Sequence, residues 1–131
     1  MTIESPHLRQ PIEATPDSIA DVIGSLPHQK DGDRFAILSS DDPQVYIQAL
    51  STPRGFQLEY QEGSIAQHYH CTREDLSPDE VIGVFHDYLA GDIFWKPRFQ
   101  FECRDLRTPS FRAGFRVGEF FGELAKYVGI R

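Results

Sequence analysis

The sequence predicts an α+β domain: an antiparallel four- to five-stranded meander with helices packed on one face, in the order α-β-β-β-β-α-β-α. Three observations carry this expectation. Between residues 34 and 72, apolar and polar side chains alternate with the period of two that a half-buried strand requires. The runs are joined by Ser40-Asp41-Asp42-Pro43, Thr52-Pro53-Arg54-Gly55 and Glu62-Gly63, links too short for a parallel crossover. Two segments with a 3.6-residue apolar period flank them, each opened by a hydroxyl residue followed by proline, the signature of a helix start.

Residues 1–14 contain Pro6 and Pro11 and no sustained period, and read as a flexible arm; a single domain then occupies 15–131. Thr15-Pro16-Asp17-Ser18 starts the first helix, with Ile19, Val22, Ile23 and Leu26 forming one apolar stripe. The first strand spans Arg34–Ser39, with Phe35 and Ile37 sharing a face. The second, Gln44–Leu50, sets Val45, Ile47 and Ala49 against Tyr46 and Gln48. In the third, Gly55–Gln61, Phe56, Leu58 and Tyr60 alternate with Gln57, Glu59 and Gln61. A tight hairpin at Glu62-Gly63 leads to the fourth, Ser64–Thr72, with His68 and His70 opposite Ile65, Tyr69 and Cys71.

Ser77-Pro78-Asp79-Glu80 matches the capping box, in which the serine hydroxyl and the glutamate carboxylate each accept from the other residue's backbone amide. Val81, Ile82, Phe85, Tyr88 and Leu89 are the buried stripe of this helix, and Gly91 ends it. Trp95 reads as a core anchor, and a fifth strand is expected over Arg98–Arg104 with Phe99, Phe101 and Cys103 inward. A C-terminal helix of about residues 109–128 follows, with Val117, Phe120, Phe121, Leu124, Ala125 and Val128 on one arc.

Composition bounds the function. The 131 residues are 40% hydrophobic, with ten Phe, five Tyr and one Trp, enough for the core of a single domain. No apolar run approaches the roughly 20 residues that cross a bilayer, and the N-terminus lacks the basic start and apolar stretch of a leader, so a cytoplasmic protein without membrane contact is expected. Cys71 and Cys103 form no CxxC pair and read as reduced, largely buried thiols, able to pair on oxidation if they lie on facing strands. Net charge is 13 − 20 = −7, divided into 7 − 17 = −10 over residues 1–103 and 6 − 3 = +3 over 104–131. An acidic body disfavours nucleic acid and favours a basic protein partner.

No GxSxG, GxGxxG or GxxxxGK[ST] occurs, so neither a nucleophile elbow nor a phosphate loop is expected. His68, His70 and Glu59 form the beginning of a two-His, one-carboxylate set, but no spacing supplies an enclosing shell, and no metal or other cofactor is assigned. Cys71 alternates away from His70, which removes a local Cys–His pair. The polar sheet face formed by Tyr46, Gln48, Gln57, Glu59, Gln61, His68 and His70 is the candidate partner-binding surface, against the alternative of an ordinary solvated face. Gly114, Gly118 and Gly122 lie along one helical flank and allow close backbone approach, the candidate contact of a homodimer or of packing within the fold.

The segments Phe35-Ala36-Ile37-Leu38, Tyr46-Ile47-Gln48-Ala49, Gly55-Phe56-Gln57-Leu58-Glu59-Tyr60 and Gly91-Asp92-Ile93-Phe94-Trp95 carry a resemblance. Over roughly residues 15–104 the chain resembles small bacterial immunity-protein-like α+β domains, encoded beside secreted toxins. That resemblance implies an acidic, non-enzymatic protein that binds and blocks a cognate toxin. The helix after Arg104 departs from the pattern. The expected function is therefore a protein-binding module, an immunity-type inhibitor of a basic partner. The alternatives are a homodimeric structural or interaction protein and a small metal-dependent enzyme.

Overall fold

In the computed structural model, which describes residues 1–107, the chain runs through β1 (Thr2–Glu4), β2 (Ile12–Glu13), α1 (Pro16–Ser25), β3 (Phe35–Ser39), β4 (Val45–Thr52) and β5 (Gly55–Glu62). It continues through β6 (His68–Cys71), α2 (Pro78–Leu89), α3 (Trp95–Arg98) and β7 (Phe101–Cys103). All neighbouring strands pair antiparallel in one seven-stranded sheet of order β2-β1-β3-β4-β5-β6-β7. The expected helix at 109–128 lies outside the described residues.

The architecture corrects the expected four- to five-stranded meander of order α-β-β-β-β-α-β-α. The observed order is β-β-α-β-β-β-β-α-α-β, and the two additional strands come from residues 1–14, the stretch expected to be an arm. Strands of two and three residues are too short to display an alternation, so the local sequence carries no signal for them. Tertiary pairing decides: Thr2, Ile3 and Glu4 register against Ser39, Leu38 and Ile37, Ile3 is fully buried, and the Ser5 hydroxyl donates to the Phe35 carbonyl at 2.8 Å.

Two further boundaries shift. The expected strand over Ser64–Thr72 starts only at His68, because Ile65–Gln67 forms a 3₁₀ turn that lengthens the connection after Gly63, whose φ is +106°. The expected strand over Arg98–Arg104 shrinks to Phe101–Cys103, since Trp95–Arg98 winds into a short helix that seats Trp95 in the core.

Both main helices begin as their sequences require. Thr15 and Ser18 exchange side chain–backbone hydrogen bonds at the start of α1, and Ser77 and Glu80 do so at α2. Ile19, Val22 and Ile23 of α1 and Val81, Val84 and Phe85 of α2 pack with Ala36, Leu38, Ile47, Leu58 and Cys71 of the sheet. On the reverse face Phe35, Ile37 and Tyr46 form a second, smaller apolar cluster flanked by Leu50. Gly55 (φ +132°) turns the chain between β4 and β5 where a Cβ would sit 2.7 Å from the Asp75 backbone, beside the bridge between Phe56 and Leu76.

Candidate functional site

Strand register gathers the polar residues singled out by alternation. One row across the reverse face reads Glu4, Ile37, Gln48, Glu59, His70 and Glu102, and the next runs through Ser39, Tyr46, Gln61 and His68. Tyr46, Gln48, Glu59, Gln61, His68 and His70 are thereby joined in one network, and Gln57 stands on the same face opposite Leu50. All seven are buried, none more than 2% exposed, although α1, α2 and α3 pack on the other face. The expected solvated surface is instead an interior polar layer.

Glu59 is its hub. Oε1 accepts from His68 Nε2 at 2.6 Å and from the Gln48 amide at 2.9 Å, and Oε2 accepts from His70 Nδ1 at 2.6 Å. The Gln61 amide is oriented by donating to the Gln44 carbonyl and side chain, which points its oxygen at the Tyr46 hydroxyl and at His68 Nδ1. Each nitrogen of His68 thus faces an oxygen acceptor. The same holds for His70, whose Nε2 lies 3.0 Å from Glu74. An imidazole donates from both nitrogens only as the imidazolium, so the geometry at His70 suits a cation held between the carboxylates of Glu59 and Glu74.

Burial alone would raise the Glu59 pKa, but the two histidines outweigh it and hold the carboxyl at about 2. Burial would likewise lower His70, and its bonds to Glu59 and Glu74 reverse the direction and raise it. Tyr46 is raised by burial and by the Glu59 charge. Direct 2.6 Å contacts saturate the hub with its own neighbours. Among the described residues no group of three or more His, Cys, Asp or Glu is arranged to hold a metal ion. The side-chain oxygens of Gln48 and Gln57 are buried without a hydrogen-bond partner among the described residues.

The two thiols behave differently from each other. Cys71 is buried as expected, whereas Cys103 is exposed, because β7 lies at the sheet border. Both are free. Register sets Cys71 opposite Phe101 and Cys103 opposite Tyr69, so the strands face each other but the cysteines do not. Gly114, Gly118 and Gly122 lie outside the described residues. Among the described residues no helix is long and apolar enough to cross a membrane.

A second locus escaped the sequence reading. Met1, Ile93 and Phe94 are the large apolar side chains left exposed among the described residues, Phe94 at 73%. Met1 and Ile93 line a cleft of about 190 Å³ with the aromatic residues Tyr60, Tyr88 and Trp95 and the charged residues Glu62, Asp92 and Lys96. Its position follows from topology: Thr2 pairs with Ser39 and Val45 with Glu62, which brings the exposed Asp41-Asp42 turn to the same end of the sheet. The signal was present in Gly91-Asp92-Ile93-Phe94-Trp95, since Gly91, at φ +78°, has already ended α2 and leaves Ile93 and Phe94 with no helical face to share. Trp95 turns into the core, and its two predecessors stay outside.

Comparison of the chain with protein-family models, with curated proteins and with solved structures returned no match. What the molecule does must be read from its own surfaces.

Proposed function

We propose that this protein is a non-enzymatic binding module that docks a basic protein partner at the end of the sheet bearing the Ile93–Phe94 cleft. The observation that supports it most is the coincidence of exposed apolar residues and unpaired acids at one end. Ile93 lines a ready-made cleft and its chain neighbour Phe94 is the most exposed of the large apolar residues, and Asp41 and Asp42, exposed at that end, have no ion-pair partner among the described residues. An exposed aromatic with nothing of its own to cover it is a natural anchor for an interface. Over residues 1–107 the charge is 9 − 18 = −9, which favours encounter with a cationic surface and disfavours an anionic one.

The buried Gln/His/Glu layer serves this reading as a scaffold: it fixes the register of β4, β5 and β6, and hence where Glu62 sits. The resemblance to immunity-protein-like domains supports the narrower reading that the partner is a toxin and that docking inhibits it.

Affinity capture from cells that carry the gene tests both. A stoichiometric basic partner is expected, released by salt and lost with Phe94→Ser or with Asp41→Lys combined with Asp42→Lys. Co-expression with that partner is expected to relieve its toxicity. Retention of the partner by both variants would overturn the surface assignment, and a protein that purifies only as a homodimer would favour the structural alternative.

A further inference from the structure

We propose that the cleft is a receptor for a guanidinium group, an arginine side chain of the basic partner, and that Lys96 fills that position in the free protein. The identity of the donor rests on the binding reading above; the chemistry of the receptor does not. Lys96 Nζ lies 5.1 Å from the Tyr60 ring centroid and 5.7 Å from that of Trp95, and donates to Glu62 Oε2 at 2.7 Å. Two aromatic rings and a carboxylate are the elements of a cation-binding cage.

The cage is built rather than incidental. Tyr60 and Trp95 meet edge to face at 5.1 Å, and Tyr88 lies 6.1 Å from Trp95. Burial, reinforced by the Glu62 charge, pushes the Tyr60 phenol up to about 12. Asp92 adds a second carboxylate to the lining.

Lys96 is replaceable there. Its side chain is 33% exposed and Glu62 46%, and an ion pair in that setting is held loosely against solvent. The lysine stem is flexible and its ammonium is strongly hydrated, whereas a guanidinium is planar, weakly hydrated and stacks on aromatic faces. An arriving arginine therefore gains more from Tyr60, Trp95 and Glu62 than Lys96 loses by swinging into water. In the free protein Lys96 keeps the carboxylate neutralised and the rings covered, so the receptor selects a better cation instead of accepting any.

Trp95 is the single tryptophan of the chain, so its emission reports on the cleft directly. A tri-arginine peptide is titrated at low ionic strength into the full-length protein, its Lys96→Gln variant and the Lys96→Gln/Glu62→Gln double variant, with tri-lysine for comparison. A saturable change in emission is expected with tri-arginine, weaker with tri-lysine. Lys96→Gln is expected to tighten tri-arginine binding by roughly three- to tenfold, and adding Glu62→Gln to cancel that gain. Equal unfolding midpoints for the three proteins establish that all are folded. No saturable response in wild type and Lys96→Gln alike, or weaker binding by Lys96→Gln, overturns the inference. A partner that still depends on Phe94 and Asp41 while tri-arginine fails would sink the receptor alone. A tri-arginine response without any protein partner would leave the receptor standing and remove the binding function.

Discussion

At the level of single residues, Glu59 is the side chain on which most others depend. Its carboxylate answers two imidazoles at 2.6 Å each, and removing one member of a buried ionic set leaves the rest uncompensated. Glu59→Gln is expected to cost about 3–5 kcal/mol of unfolding free energy, measurable by urea denaturation. The same network predicts a pH dependence with two limbs. Glu59 is depressed from 4.5 to about 2, so its contribution is complete above its unfolded value and is lost as pH falls through its folded one. That shift corresponds to about 3 kcal/mol. His70 is raised from 6.5, so its contribution is complete below that value and is lost as pH rises through its folded pKa. The urea midpoint should therefore peak between 4.5 and 6.5, and Glu59→Gln should shrink the acid limb. A flat profile in the wild type would refute this account. Accessibility separates the thiols as well: iodoacetamide should alkylate Cys103 in the native protein and Cys71 only after unfolding, as read by mass spectrometry.

At the level of elements, the glycines divide sharply. Gly55 combines φ +132° with a Cβ position 2.7 Å from the Asp75 backbone, so Gly55→Ala should cost about 1–3 kcal/mol or more. Gly24 and Gly83 lie inside α1 and α2 with nothing within 4 Å of an added Cβ, and alanine at either should add roughly 0.5–1 kcal/mol. Thermal unfolding of the three variants would show opposite signs. Legibility in the sequence follows the same logic of local against distant causes. The capping boxes of α1 and α2 and the alternation of β4 and β5 are written within a few residues, and they could be read. The inner strand β1 is specified by Leu38 and by the Phe35 carbonyl some thirty residues away, and no local pattern announces it. The polar face was legible as a face, because alternation fixes which residues share a side. Its burial was not, because alternation says nothing of what lies above a sheet. The cleft was missed for a related reason: the exposure of Ile93 and Phe94 depends on where α2 stops and on how Trp95 turns in.

At the level of the whole molecule, adjacent aromatic residues have separate duties. Trp95 is 2% exposed and packs among Tyr60, Tyr88 and Phe101, so Trp95→Ala should cost about 3–5 kcal/mol. Phe94→Ser, one position earlier on an exposed loop, should change unfolding free energy by no more than about 0.5 kcal/mol while removing partner binding. Comparable losses of stability in the two variants would mean that Phe94 is a core residue and not an anchor. The sheet order has a consequence for how the protein behaves when crowded. A foreign strand adds to a sheet through a long run of free backbone donors and acceptors. Among the described residues the outermost strands are β2, of two residues, and β7, of three, while the eight-residue β4 and β5 are enclosed at the centre. Over the described residues the sheet thus offers a templating fibril little more than one rung at either border, and concentrated native protein should neither bind amyloid dyes nor seed fibres.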